Sequence, residues 1–372
     1  MSFQSAQSAN PSESGLNRRD GWIISSLLVL CLLMLNIVDA AAQTPHKVHA
    51  TGWVPPTEEQ LAQLRKSPYF HEVKYVPPKA EALAAYPKRS VATNNGLVLY
   101  ASPGMVDLST TGFLPPVGDQ GMEGACATFC TMYYCKTFLE CREHNWDPTL
   151  SSHQMSPAFI YNYLTRGYSA GGTDLAAPAT VTNLLGCATL DEMPYTGGSS
   201  SAFPSEAVWR EAISFRGESI TSFYNQTDSA ATLNNIKQYL ANGTPVAIGI
   251  EIGDNFMYYN GSNGPGVNNG VIFSMGNDDG GHAFTIIGYD DNKSYFDGTT
   301  TQTGALKFVN SWGTTWGLSG FGWISYNLAS NYNAGEAVIL EDRINYSPKL
   351  LGCIRFQHPN GSLSRIYHLT FE

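Results

Sequence analysis

No Cys-x-x-Cys pair occurs in this chain of 372 residues, and no paired histidines accompany its cysteines. Zinc sites and thiol–disulfide exchange are built from such pairs, so neither chemistry is expected, nor any metal or other cofactor. Charged residues are scarce at 14%, and basic ones scarcer: 21 Lys and Arg stand against 31 Asp and Glu, a net charge of −10. With no basic block there is no footprint for a phosphate backbone, which excludes nucleic acid as a partner. Internal repeats and low-complexity tracts are missing as well. What is abundant is apolar and turn-forming: 43% hydrophobic residues, 36 Gly and 20 Tyr. That composition describes a globular protein with a sizeable core, richer in loops and strands than a helical bundle.

One long apolar run stands alone. Trp22 to Val38 follows Arg18-Arg19 and is followed by Ala40-Ala41-Ala42. A positive start, an apolar stretch and small residues at the exit make residues 1–42 a secretory signal, and the product secreted or periplasmic. The competing expectation is a membrane anchor at 22–38, at the lower edge of a spanning length. Of seven cysteines, Cys31 leaves with the signal and six remain in a route that permits disulfides. If one is reserved as a reactive thiol, at most two bridges can form within the chain.

Residues 43–103 are rich in Pro, Lys and Ala and read as a leader, with one helix over Thr57–Lys66 capped by Thr57. Residues 104–342 read as a packed domain in two halves. The first, 104–220, leans to helices: Cys126–Glu140, Met155–Thr165 and Leu175–Leu185. The second, 221–342, opens on a helix over Ser229–Ala241 and then turns to strands: Pro245–Ile252, Ala283–Tyr289, Ala305–Asn310 and Phe321–Tyr326. Helices followed by strands imply an α+β protein of two lobes with a cleft between them. Alternating apolar positions in 343–372, around Pro359-Asn360-Gly361, read as an appended hairpin.

A cysteine serves as a nucleophile only as its thiolate, which a helix N-terminus and a nearby imidazolium favour. Cys126 opens an apolar helix directly after a glycine-rich stretch. Among eight histidines, His282 alone follows Gly280-Gly281 and opens a strand, so its ring is presented from a rigid element. Asn310 ends another strand and is followed by Ser311-Trp312-Gly313, an amide to orient the imidazole beside an aromatic to keep water out.

These three segments resemble the papain family of cysteine peptidases. Val117 to Cys126 is similar to the family's nucleophile segment, with Gln120 at the family's spacing before the cysteine. Gly281-His282-Ala283 followed by Gly288-Tyr289 resembles its histidine strand. Asn310 to Gly317, then Gly320-Phe321-Gly322, matches its asparagine motif. The resemblance implies a two-lobed fold, a helical N-terminal lobe and a β-barrel-like C-terminal lobe, with the active site between them. It further implies that Cys126 attacks the peptide carbonyl, His282 pairs with the thiolate, Asn310 orients His282 and Trp312 shields that bond. Gln120 and the Cys126 N–H would hold the oxyanion. Gly171-Gly172, Gly281 and Trp312 are the expected substrate-binding positions, with the glycine pair offering its backbone to the substrate strand.

Departures from the family are plain. Ala127 follows the nucleophile where tryptophan is usual, Glu123 stands in place of a disulfide cysteine, and Gly281 replaces a polar residue before the histidine. The expected function is that of an exported cysteine peptidase made as a zymogen. It would act as a monomer on peptide or protein substrates, with 43–103 lying in the cleft as its own inhibitor. Acyl transfer to an amine, or peptide binding on an inactivated peptidase fold, are the alternatives.

Overall fold

A computed structural model of the chain describes residues 49–72, 104–166, 171–197, 201–222, 229–330, 335–348, 351–355 and 366–370. The signal-like run 22–38 and the Pro359 turn lie outside these residues. Among the described residues no helix is long and apolar enough to cross a membrane.

The helical lobe is organised by one buried helix. Cys126–Thr128 in α geometry, Phe129–Lys136 in wider π geometry and Thr137–His144 in α geometry run on as a single element, α2. Residues from Cys126 through Cys141 are buried on every side, as the lack of a polar stripe in this run requires. It ends at Asn145, which adopts the left-handed conformation with φ 53° that asparagine tolerates. Pro157–Thr165 (α3), capped by Ser156, and Ala176–Leu185 (α4) pack on it, and Glu206–Ala212 (α5) closes the lobe.

The other lobe is a sheet. Its strands are Phe70–Glu72 (β1), Met105–Asp107 (β2), Gly217–Ser222 (β3), Val246–Gly253 (β4), Val267–Asn268 (β5), Val271–Ile272 (β6), Asp278–Phe296 (β7), Thr301–Val309 (β8), Phe321–Ser325 (β9) and Glu336–Asp342 (β10). They follow the order β1-β3-β10-β4-β7-β8-β9-β6-β5, with β2 added on β7. The path is open, so the strand-rich lobe carries a coiled sheet not closed into a barrel. Ser229–Ala241 (α6) precedes β4 over the expected span. β7 and β8 extend beyond the apolar runs into a polar hairpin, where the Asp297 carboxylate accepts from the Thr299 and Thr300 amides at 2.8 and 2.9 Å. Leu351–Arg355 (β11) and Ile366–Thr370 (β12) pair only with each other.

The leader is part of the core. Glu58–Leu64 (α1) starts with a reciprocal capping box between Thr57 and Gln60, two orphan donors satisfied at once. Leu61 and Leu64 of α1, Trp53 before it and Phe70 after it are all buried in the cluster that includes Cys126 and α3. β1 adds to the sheet edge in parallel with β3. The sequence suggested connectors outside the core; among the described residues Trp53, Leu61, Leu64 and Phe70 are instead buried in it.

Candidate active site

Cys126 is fully buried at the first position of α2. The loop before it is anchored to the Asn310 segment through backbone bonds, Gln120 N–H to Ser311 O (2.8 Å) and Gly313 N–H to Gly118 O (3.0 Å). Tyr134 reinforces this, accepting from Gly118 N and donating to Asn310 O at 2.7 Å. Glu123, in the place of a family cysteine, is buried beside two tyrosines. The Tyr195 hydroxyl meets its carboxylate and donates to Gln120 O at 2.8 Å. Tyr161 donates to Gly171 O at 3.0 Å and meets the Gly124 backbone. Hydroxyls therefore tie the nucleophile loop to the Gly171 loop, which a disulfide cannot do here. Burial pushes the Cys126 thiol up to about 12, against the pull of backbone groups of Ala283, Ala127, Trp53 and Cys126 itself. In this closed state the sulfur is a neutral thiol.

His282 lies within β7, opposite Ile250 of β4, and is fully buried. Its Nε2 is 2.8 Å from Asn310 Oδ1. Asn310 follows the end of β8, and its Oδ1 also accepts from the Ser311 N–H at 2.8 Å, so the amide oxygen is fixed toward the ring. Trp312 stacks on His282 at 4.2 Å between centroids, with Phe256 at its edge. Water is thereby kept from the His282–Asn310 bond. The Ser311 hydroxyl donates to Gln120 Oε1 at 2.6 Å, which turns the Gln120 N–H donors toward Glu123 O and the cleft.

The cleft is filled by residues 49–54. Ala50 O accepts from Gln120 Nε2 (3.3 Å) and from Trp312 Nε1 (2.9 Å), and His49 stacks on Trp312 at 4.6 Å. The Gly52 and Trp53 amides both donate to Gly281 O, at 3.1 and 3.2 Å. Thr173 N–H donates to Gly52 O, Val54 N–H donates to Thr173 O, and the Trp53–Thr173 pairing is parallel. The contact is close on both walls. A Cβ on Gly172 would come within 2.3 Å of Gly52 O, and one on Gly281 within 2.1 Å of Trp53 O.

Cys126, His282, Asn310, Gln120 and Trp312 thus converge on one cleft, and Gly281 and Gly172 line it. The expected glycine pairing is displaced by one residue: Thr173 makes the backbone bonds, Gly172 supplies clearance and Gly171 O goes to Tyr161. Sequence reasoning missed Ser311, whose hydroxyl sets the Gln120 amide, and Trp53, whose buried indole Nε1 donates to Glu336 Oε2 at 3.1 Å. A lone tryptophan in a Pro- and Lys-rich leader was the available signal for Trp53. The five cysteines with described side chains, Cys126, Cys130, Cys135, Cys141 and Cys187, are all free and buried. Cys141 and Cys187 thiols donate to His153 O and Ser156 O instead. Among the described residues a group with ligand-like spacing, Glu140, Glu143 and His144, sits at the far end of α2, where Glu140 is held by Lys136.

Comparison with known proteins finds matches among papain-family cysteine proteases. The profile of the papain family of cysteine proteases matches residues 102–341. An uncharacterized peptidase C1-like protein of Acanthamoeba polyphaga mimivirus is 25% identical over 281 residues, 72% of this chain and 83% of that protein. Among solved structures, xylellain, a cysteine protease from Xylella fastidiosa, superposes with a TM-score of 0.55 at 21% identity, over 82% of this chain and 100% of that one. The digestive procathepsin L2 proteinase from Tenebrio molitor larval midgut gives 0.53 at 17% identity, over 88% of this chain and 95% of that one. At these identities the structures are alike in fold.

Proposed function

This chain belongs to the papain family of cysteine proteases, and from that premise we propose that it hydrolyses peptide bonds through Cys126 and is held inactive by its own residues 49–54. The observation that carries the reading is the buried 2.8 Å bond between His282 Nε2 and Asn310 Oδ1, one residue from the Ala283 backbone against the Cys126 thiol. With Nε2 engaged, Nδ1 is the nitrogen left to take the cysteine proton. The thiolate sulfur bonds to the substrate carbonyl carbon, and the C=O electron pair moves onto oxygen, facing Gln120 Nε2 and the Cys126 N–H. As the carbonyl reforms, the C–N bond breaks and the imidazolium proton goes to the leaving amine. Water then attacks the thioester, giving its proton to His282; the S–C bond breaks, and acid product and thiol are released.

Residues 49–54 oppose this chemistry in two ways. They occupy the Gln120 donor with Ala50 O, and they desolvate the thiol so that its charged form is disfavoured. The apolar signal-like run within 1–42 and the leader 43–103 behind it fit export of such a precursor, with release of the leader outside the cell. The test is labelling with an epoxide-type thiol inhibitor. The intact chain should label slowly, Trp53→Ala should label about a hundredfold faster because a large buried anchor is lost, and Cys126→Ala should not label at all. Equal labelling of Cys126→Ala would sink the assignment of the nucleophile.

A further inference from the structure

Glu123 is where this chain departs from its family inside the catalytic loop. A disulfide cysteine is usual at this place; here a glutamate fills it and is only 4% exposed. Among the described residues its Oε1 has no hydrogen-bond partner. A buried carboxylate left partly unsatisfied costs free energy that an aliphatic side chain in the same space would not. What the carboxylate does meet is the Tyr195 hydroxyl, which donates to Gln120 O at 2.8 Å.

These contacts converge on the turn that carries the oxyanion donor. Gln120 Nε2 donates forward to Glu123 O at 2.8 Å, and the Glu123 N–H donates back to Gln120 O at 3.4 Å. Gly121 takes the left-handed conformation the turn needs, with φ 59°, and its N–H donates to Asp119 Oδ1 at 2.8 Å. Gln120 O therefore accepts twice, and the bond from Tyr195 is much the shorter. The hydroxyl, more than the turn itself, fixes this carbonyl. Any rotation of the turn would swing the Gln120 amide and the backbone leading to the Cys126 N–H together.

Tyr195 is itself held firmly enough to act as a post. The Ser156 hydroxyl donates to Met193 O at 2.6 Å and so anchors the loop two residues earlier. The tyrosine ring meets Phe129 of α2 edge-on, with 4.8 Å between centroids. Burial, and after it Glu123, push the Tyr195 hydroxyl well above its ordinary value. It keeps its proton and stays a donor.

We propose that Glu123 and Tyr195 are positioning residues for the peptidase reaction, clamping the turn from Gln120 to Cys126 so that Gln120 Nε2 and the Cys126 N–H face the developing oxyanion. Hydrogen bonds here do the work of a covalent cross-link, and they use none of the cysteines, of which the five with described side chains are all free. Both residues act through Gln120 and the turn rather than on the substrate. The inference rests on the peptidase reading above.

The test is a double-mutant cycle in the full chain carrying Trp53→Ala. Tyr195→Phe removes one hydroxyl and should lower kcat about tenfold with KM unchanged, the pattern of an interaction realised in the transition state. In the Gln120→Ala chain the same change should cost nothing more, because the group it positions is gone. Glu123→Ala should match Tyr195→Phe. Glu123→Gln, which keeps the length and a hydrogen-bonding end, should recover kcat to within about twofold. Equal losses with and without Gln120, or a rise in KM at constant kcat, overturn the inference. Tyr195→Phe decides this even if Glu123→Ala fails to fold. The nitrogen NMR signal of the Gln120 side-chain amide, identified by its loss in Gln120→Ala, separates this inference from the reading beneath it. If the Trp53→Ala chain cleaves no peptide, the peptidase reading falls, and a Gln120 signal displaced by Tyr195→Phe still keeps the clamp. A Gln120 signal unmoved by Tyr195→Phe sinks the clamp, whether or not peptides are cleaved.

Discussion

The two ends of α2 both bury polar chemistry, and they settle it in opposite ways. At the C-terminal end Lys136, 1% exposed, is ringed by two carboxylates of its own domain: Glu140 at 2.5 Å and Asp342 of β10. Burial alone would lower the lysine pKa, but Asp342 and Glu140 overrule it and raise it. Burial likewise lifts Asp342 to about 7, against the pull of Lys136, while at Glu140 Lys136 and His144 outweigh burial and hold its pKa below the usual value. The cluster draws its ion-pair partners from the domain itself, with Asp342 Oδ2 left without a hydrogen bond. At the N-terminal end Cys126 and Gln120 are completed by residues 49–54, which lie outside the family match over 102–341, through Ala50 O and the Trp53 backbone. Charges satisfied within a domain make structure; on the proposed reading, groups met by residues 49–54 are held in reserve for chemistry.

Substitution at each end should expose that difference. Cys126→Ala should lower peptide hydrolysis by about 10⁶-fold yet leave the thermal midpoint nearly unmoved, since a small buried residue replaces another. Lys136→Met should do the reverse. It strands two buried carboxylates, so unfolding free energy in urea should fall by about 3–5 kcal/mol, while the molecules that remain folded still label at Cys126 after Trp53→Ala. An unchanged urea midpoint would mean that the cluster is less tightly paired than its geometry implies. Gln120→Ala should cost kcat about 10²–10³-fold with little change in KM, read from steady-state kinetics in the Trp53→Ala background.

The smallest effect concerns the leader's grip and its pH dependence. Burial against Trp312 lowers the His49 pKa from 6.5, with Asp119 pulling it partly back. The docked state therefore prefers neutral His49, and protonation favours the released state. The contribution of His49 to docking is whole above about pH 6.5 and is lost as pH falls below it. Cys126 labelling at pH 5 relative to pH 7.5 should be raised severalfold by this group, and His49→Gln should flatten that part of the ratio. A ratio identical in the two chains would remove His49 from the control of release.

Much of the helical and strand content was legible, because α6, β4 and β8 carry strong periodicity between clear stop signals. So were Cys126, His282, Asn310 and Gln120, each inside a local motif. The ties that replace a disulfide around Glu123 were not. Tyr161 and Tyr195 are ordinary aromatics in sequence, and only folding brings their hydroxyls to Gly171 and Gln120. Glu336 was hidden for the same reason. It heads an apolar strand run, Ala337 to Leu340, and nothing local distinguishes an acceptor for the distant Trp53 indole from a strand end.

By itself the sequence determined the chemical kit: a thiol at a helix start, an imidazole on a strand, an amide to aim it and a glutamine ahead of the thiol, with roles that the proposed reading assigns. Those roles depend on residue type and local backbone, which short motifs encode. Only the tertiary structure decided what fills the cleft. Residues 49–54 meet Gln120, Thr173, Gly281, Trp312 and Glu336, separated from them along the chain by up to 283 positions. Contacts at such separations are set by packing and by where each strand lies in the sheet, quantities that no local pattern carries.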